Sequence, residues 1–332
     1  MSRVRGRVML GGLLTACALA ATVAVAAPNR IDRPAVAHQP AERLRSGSSG
    51  PSVGGCPVFP SDNAWNTEIA DAPMRARSSQ IIATIQSNGG GFLHPDFGEN
   101  QSYGIPFVVV PPGTTRVPIT YNAYGDESDP GPFPIPLDAP VEGAPGATSG
   151  DRHVIAIEMG SCELFELFVA ERSGAGWQAA SGARFDLRSN SLRPLGWTSA
   201  DAAGLPIFPG LVRYEEVAAG EIRHAIRITF SRTQRGYILP ATHFASSDTN
   251  PDLPAMGLRL RLKSSYDVSQ LPGQARVIAV AMQRYGVIVA DNGSNWFFQG
   301  ARSTGWNDDE LNQLKSIPGT AFEVVDTGPV HS

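Results

Sequence analysis

The chain has 332 residues, 42% hydrophobic and 17% charged, with a formal net charge of −4. Its 35 Gly and 27 Pro make it loop-rich without reaching a collagen-like or disordered composition, and the apolar fraction can fill a core. No basic stripe offsets phosphate charge, which argues against nucleic acid as a partner.

The N-terminus reads as an export signal. Arg3, Arg5 and Arg7 precede an apolar run from Val8 to Ala27 that closes on Ala-Val-Ala-Ala, the small-residue pattern of a cleavage site. The run is long enough to span a bilayer. Its Ala/Gly content and cleavage-like end point instead to removal of residues 1–27, leaving a secreted chain with no stable membrane span. Leu14-Thr15-Ala16-Cys17 resembles a lipobox, but the apolar run continues past Cys17 where a lipoprotein would turn polar. Residues 28–55 read as a tether, rich in Pro, Ser and Gly and without an apolar period. Losing Arg3, Arg5 and Arg7 takes the charge from −4 to −7, and the body from residue 56 onward carries 20 bases against 29 acids. Such a body suits neutral or cationic ligands better than anionic polymers, or is simply a solvated acidic face.

Two cysteines remain after processing, Cys56 and Cys162. An oxidising compartment closes such a pair, here around a loop of about 100 residues, which a chain-entropy model values at ~4.7 kcal/mol.

Within the body, 56–327, no internal repeat and no linker is evident. Strands are expected at Phe107–Val110, His153–Glu158, Glu163–Ala170, Ala225–Phe230, Gly257–Leu262 and Ala321–Val325. Val287–Ala290 and Asn295–Phe298, flanking Asp291-Asn292-Gly293, read as a hairpin. Helices are expected at Ser79–Ser87 and at Gln274–Tyr285 with Gly286 as its C-cap. Another should start at Asn307, where Glu310 suggests a capping box, and run to Lys315. The body is thus mainly β, a single domain with a β-sandwich or jelly-roll-like core and a few surface helices, an α+β arrangement being the alternative.

The motifs of serine hydrolases, P-loop proteins, zincins, dithiol enzymes and dinucleotide folds are absent, so neither cofactor nor metal is expected. Glu166 is the most informative residue. It sits in a strand apolar on both faces, so burial should raise its pKa as in a general acid, unless Arg227 or Arg259 pairs with it. His153 on an apolar strand face, preceded by Asp151, suits a base oriented by a carboxylate; a core histidine is the other reading. His224 holds an equivalent place after Glu221. Asp201 could be a second carboxylate of the kind glycoside hydrolysis needs, or a helix N-terminal acid. The catalytic candidates are therefore Glu166, Asp151, His153, His224 and Asp201. Trp197 and Trp296 beside polar turn residues, with Tyr237 and His243, are the substrate-binding candidates, since aromatic faces suit sugar rings; aromatic packing over sheet ends is the alternative.

The segments WTSADAAGLPI (197–207), GEIRHAIR (220–227), PATH (240–243), MGLRLRLK (256–263) and YGVIVADNG (285–293) resemble a group of secreted bacterial proteins. The similarity extends back to FPSDNAWN (59–66) and covers most of the body. It implies an exported globular module and transfers no catalytic residue. The resulting expectation is an exported protein acting on extracellular or cell-wall carbohydrate, as a glycoside hydrolase using a buried carboxylate or as a non-catalytic binding or envelope module.

Overall fold

Val154–Glu158 and Glu163–Phe168 are each apolar on both faces, so both strands must be covered on each face. They pair antiparallel at the centre of a four-stranded sheet in the order Ser181–Asp186, Glu163–Phe168, Val154–Glu158, Val108–Val110. The computed structural model describes residues 50–332. One face of this sheet carries Ile155, Ile157, Leu164, Ala183 and Phe185 into the main core. The other carries Val154, Ala156, Phe165 and Leu167 against Phe133, Ile135 and Trp177. Trp177 belongs to a three-stranded sheet in the order Ile119–Tyr121, Gly176–Ala179, Glu171–Ser173.

The main core is completed by a six-stranded sheet in the order Phe322–Val324, Arg259–Leu262, Val287–Asn292, Ile226–Phe230, Phe297–Phe298, His94–Pro95. Its ladders are mixed: Ile226–Phe230 runs parallel to Val287–Asn292 and antiparallel to Phe297–Phe298. The hairpin expected across Asp291-Asn292-Gly293 therefore does not form, because a distant strand separates its two arms. The left-handed residue in that connection is Trp296 (φ 65°), not the Asn-Gly pair. The fold is mainly β, with few helices.

The helices obey their apolar spacing. Ser78–Ser87 buries Ile81, Ile82 and Ile85; Gly273–Arg284 buries Ala275, Ile278, Ala279 and Met282. The latter ends at Gly286, whose φ of +71° suits only glycine and where an added Cβ would lie 2.3 Å from the Leu260 carbonyl oxygen. Asn307 caps Asp308–Leu311 by accepting from the Glu310 N–H at 3.0 Å. The Glu310 carboxylate, however, accepts from the Gln274 N–H at 2.6 Å, so half of the expected capping box is spent on joining two helices.

Cys56 and Cys162 form a disulfide with Cα atoms 5.4 Å apart, fastening the Cys56–Pro57 strand to the turn before Glu163–Phe168. Among the described residues, backbone pairing is present from Pro51 and Ser52–Val53 onward and extends to His331, which exchanges backbone hydrogen bonds of 2.9 and 2.8 Å with Tyr237. No described helix is long and apolar enough to cross a membrane. The segment 1–27 expected to be an export signal, Cys17 and most of the 28–55 segment lie outside the described residues.

Candidate functional site

The loop 197–208 organises the polar centre. Ser199 Oγ ties it together, its single hydroxyl proton lying between the carbonyls of Leu205 (2.6 Å) and Asp201 (2.9 Å) while the oxygen accepts from the Asp201 N–H (2.9 Å). Gly204 takes φ +70°, with a Cβ excluded by Thr242 Oγ1 at 2.2 Å and the Trp197 carbonyl oxygen at 2.6 Å. So held, the loop hands a different group to each of three residues, Glu166, His153 and Arg227.

To Glu166 it offers backbone donors. Glu166 lies opposite Ile155 and Ala183 in the central sheet and is fully buried; its carboxyl accepts from the N–H groups of Ile207 (2.9 and 3.0 Å) and Phe208 (2.9 Å). Burial pushes its pKa up to about 7, against the pull of these donors. Neither Arg227 nor Arg259 is its partner. Arg259 donates instead to the carbonyls of Thr67 and Tyr285.

To His153 the loop offers the Ala200 carbonyl, 3.1 Å from Nε2, while Nδ1 lies 2.6 Å from Glu142 Oε2. With an acceptor at each nitrogen the ring is an imidazolium. Burial opposes that charge, but Glu142 outweighs it and pushes the pKa up to about 9. The same contact, against burial, holds Glu142 below the usual carboxylate range. His153 is thus a charged pin for Glu142, with no nitrogen free to act as a base.

To Arg227 the loop offers Asp201, by Nε–Oδ2 at 3.0 Å and Nη2–Oδ1 at 2.6 Å, a two-point contact that is fully buried. The third Arg227 donor reaches Gln299 Oε1 at 2.6 Å. Asp291, at the C-terminal end of Val287–Asn292, abuts Asp201 and is only partly covered. Burial first, and the Asp201 charge second, push the Asp291 pKa up to about 7. Asp96, facing Gln299, is likewise raised by burial and by Glu142.

The expected residues therefore separate. Glu166, His153 and Asp201 share one centre; Asp151 is exposed at its margin and uses its carbonyl to receive the Val169 N–H (2.8 Å). His224 is buried elsewhere, with Nε2 3.0 Å from Glu216 Oε2 and Nδ1 2.7 Å from its neighbour's carbonyl, that of Ala225. Arg213 and His224, against burial, hold Glu216 down to about 2. Trp296 is a core residue, packed edge-on to Phe230 and capped by Gln86 Oε1 at 3.0 Å. Tyr237 is buried against Phe244 and His331. Half-buried His243 stacks on Phe244 and meets the Ala202 carbonyl at 2.7 Å. Half-buried Trp197 lies under the Arg193 guanidinium.

Sequence reasoning passed over Asp96, Glu142, Asp291 and Gln299. The signal for Asp291 was its place at the end of the apolar run Val287–Ala290, where a parallel strand delivers side chains to a rim. Glu142 lies in an irregular Pro/Gly-rich segment with no pattern to mark it. Arg302 holds that segment, Nη2 donating to the carbonyls of Gly143 (3.0 Å) and Val141 (3.4 Å).

Beside this centre lies a cavity of about 450 Å³ whose wall includes Asp96. Among the described residues no group of three or more His, Cys, Asp or Glu is arranged to hold a metal ion. Comparison with family models, curated proteins and solved structures finds no match to this chain.

Proposed function

We propose that this protein is an exported hydrolase of neutral extracellular carbohydrate, using Asp291 as general acid and Glu142 as general base. What carries the reading is the electrostatic contrast between two partly exposed carboxyls that both feel the Arg227 charge: Asp291 raised by burial and the Asp201 carboxylate, Glu142 held ionised by His153. Environments that push two carboxyl pKa values apart are those suited to an acid and a base, which supports this division of roles. His153 occupies Glu142 Oε2, which leaves Oε1 for a water. In the reaction Asp291 gives its proton to the glycosidic oxygen as the bond from that oxygen to the anomeric carbon breaks. The water forms the new bond to that carbon and yields its proton to Glu142. Asp201 and Arg227 position and tune Asp291 without touching substrate. The disulfide and the acidic body support an extracellular setting and an uncharged substrate.

The sealing of Glu166 and His153 favours a second reading, a carbohydrate-binding module without turnover. One experiment separates the two. The disulfide-bonded protein is incubated with a panel of neutral glycans and products are detected by mass. Hydrolysis is expected, reduced at least ~100-fold in Asp291→Asn, the usual scale for losing a general acid. Glycan retention with no product leaves the binding module; product formation unchanged in Asp291→Asn removes Asp291 from the mechanism.

A further inference from the structure

The cavity beside Asp96 has a built floor. His94 and Phe297 are paired in parallel strands, and their rings stack with centroids 4.0 Å apart and planes 13° from parallel. Both are half-buried, so the stack keeps one accessible side. Tyr103, 56% exposed, stands on the same cavity and adds a second aromatic surface. Asn100 and Lys315 supply polar groups at the margin, both exposed. Burial and the Lys315 charge push the His94 pKa below its ordinary value; the imidazole is neutral at pH 7 and offers an uncharged face with one donor and one acceptor. Apolar faces ringed by separate hydroxyl-matching groups are what a pyranose ring presents in complement. Asp96 and Asp308 on the same walls outnumber Lys315, a balance that disfavours an acidic sugar. The cavity volume of about 450 Å³ lies in the range of small-ligand sites.

Asp96 also connects this floor to the acid–base centre, since it faces Gln299, which takes the third hydrogen bond of Arg227. We propose that the His94–Phe297–Tyr103 cavity is the subsite that seats a neutral pyranose unit of the substrate next to the bond that is cut. This assignment rests on the glycan-hydrolase reading for its context, and its own test is binding rather than turnover.

The test is titration calorimetry with neutral hexasaccharides (cello-, xylo-, malto- and chito-series) and an acidic hexagalacturonate. It uses the wild-type protein and the variants Tyr103→Ala, Tyr103→Phe and Asp291→Asn. At least one neutral hexasaccharide should bind; Tyr103→Ala should weaken it at least tenfold and Tyr103→Phe, which keeps the ring, less than threefold. Hexagalacturonate should bind at least tenfold more weakly than that neutral ligand. Retained binding with no turnover in any assay overturns the catalytic reading and leaves the subsite standing. Absence of binding by every neutral hexasaccharide, equal affinity in Tyr103→Ala, or preference for the acidic ligand overturns the subsite.

Discussion

Glu142 Oε2 lies 2.6 Å from His153 Nδ1, while the opposite nitrogen of the same ring faces the Ala200 carbonyl at 3.1 Å. A buried imidazole so placed is a pH-dependent strut. Its folded pKa, about 9, exceeds the ordinary 6.5, so the contact stabilises fully below pH 6.5 and weakens as pH rises through 9. Wild-type stability to urea should fall between those values more steeply than that of His153→Asn, and the His153 ring resonances should titrate near 9. A midpoint at or below 6.5 contradicts the imidazolium assignment.

Glu166 carries the opposite expectation to an active-site acid. Its folded pKa, about 7, lies above the ordinary 4.5, so its contribution to stability is greatest below pH 4.5 and is lost as pH rises through 7. Glu166→Gln should cost about 1–3 kcal/mol, since an amide nitrogen turned toward the Ile207 and Phe208 N–H groups leaves donors unpaired. It should also flatten that pH dependence. Turnover per folded molecule should stay within a few-fold of wild type; a selective collapse of kcat would return Glu166 to the chemistry.

Arg227 is the hub that Asp201 and Gln299 share. Replacing it by Met strands a buried carboxylate and should destabilise by about 3–5 kcal/mol. Arg227→Lys keeps the charge but cannot reproduce the two-point contact and should recover only part of that loss. Equal stability of Met and wild-type proteins in urea titrations refutes the role.

The Cys56–Cys162 link spans a sequence separation of 106. The double Ser variant should lose about 2–5 kcal/mol, most of it through a less constrained unfolded chain. Mass mapping without reduction should show the two peptides joined, and added dithiothreitol should bring wild type to the variant's stability.

Local patterns in the sequence carried the elements well and the site poorly. Ile226–Phe230 and Gly273–Arg284 follow the apolar periods of a strand and a helix, Val154–Glu158 was legible as an apolar run although it is buried on both faces, and Cys56 and Cys162 form the disulfide expected of them. The Asp291–Phe298 segment misled because a turn signal is local, while strand pairing is decided by Ile226–Phe230, some sixty residues earlier. For the same reason Glu166 was legible as a buried acid, but its partners were not. The N–H groups of Ile207 and Phe208 have no side-chain signature, and any residue there would supply them. Asp96 enters the centre only through segments remote in sequence, and Glu142, although only eleven residues before His153, reaches it from an irregular loop with no pattern to mark the contact.

The backbone exchange between Tyr237 and His331 bears on how the protein should be handled. With His331 held to Tyr237 by an isolated antiparallel bridge, a purification tag or fluorescent reporter appended after Ser332 would emerge from a docked end and pull on that seam. A fusion joined ahead of residue 50 stays clear of that seam and of the hydrogen bond from the Val58 N–H to the Pro51 carbonyl, and is the preferred attachment point for immobilising the molecule on a sensor.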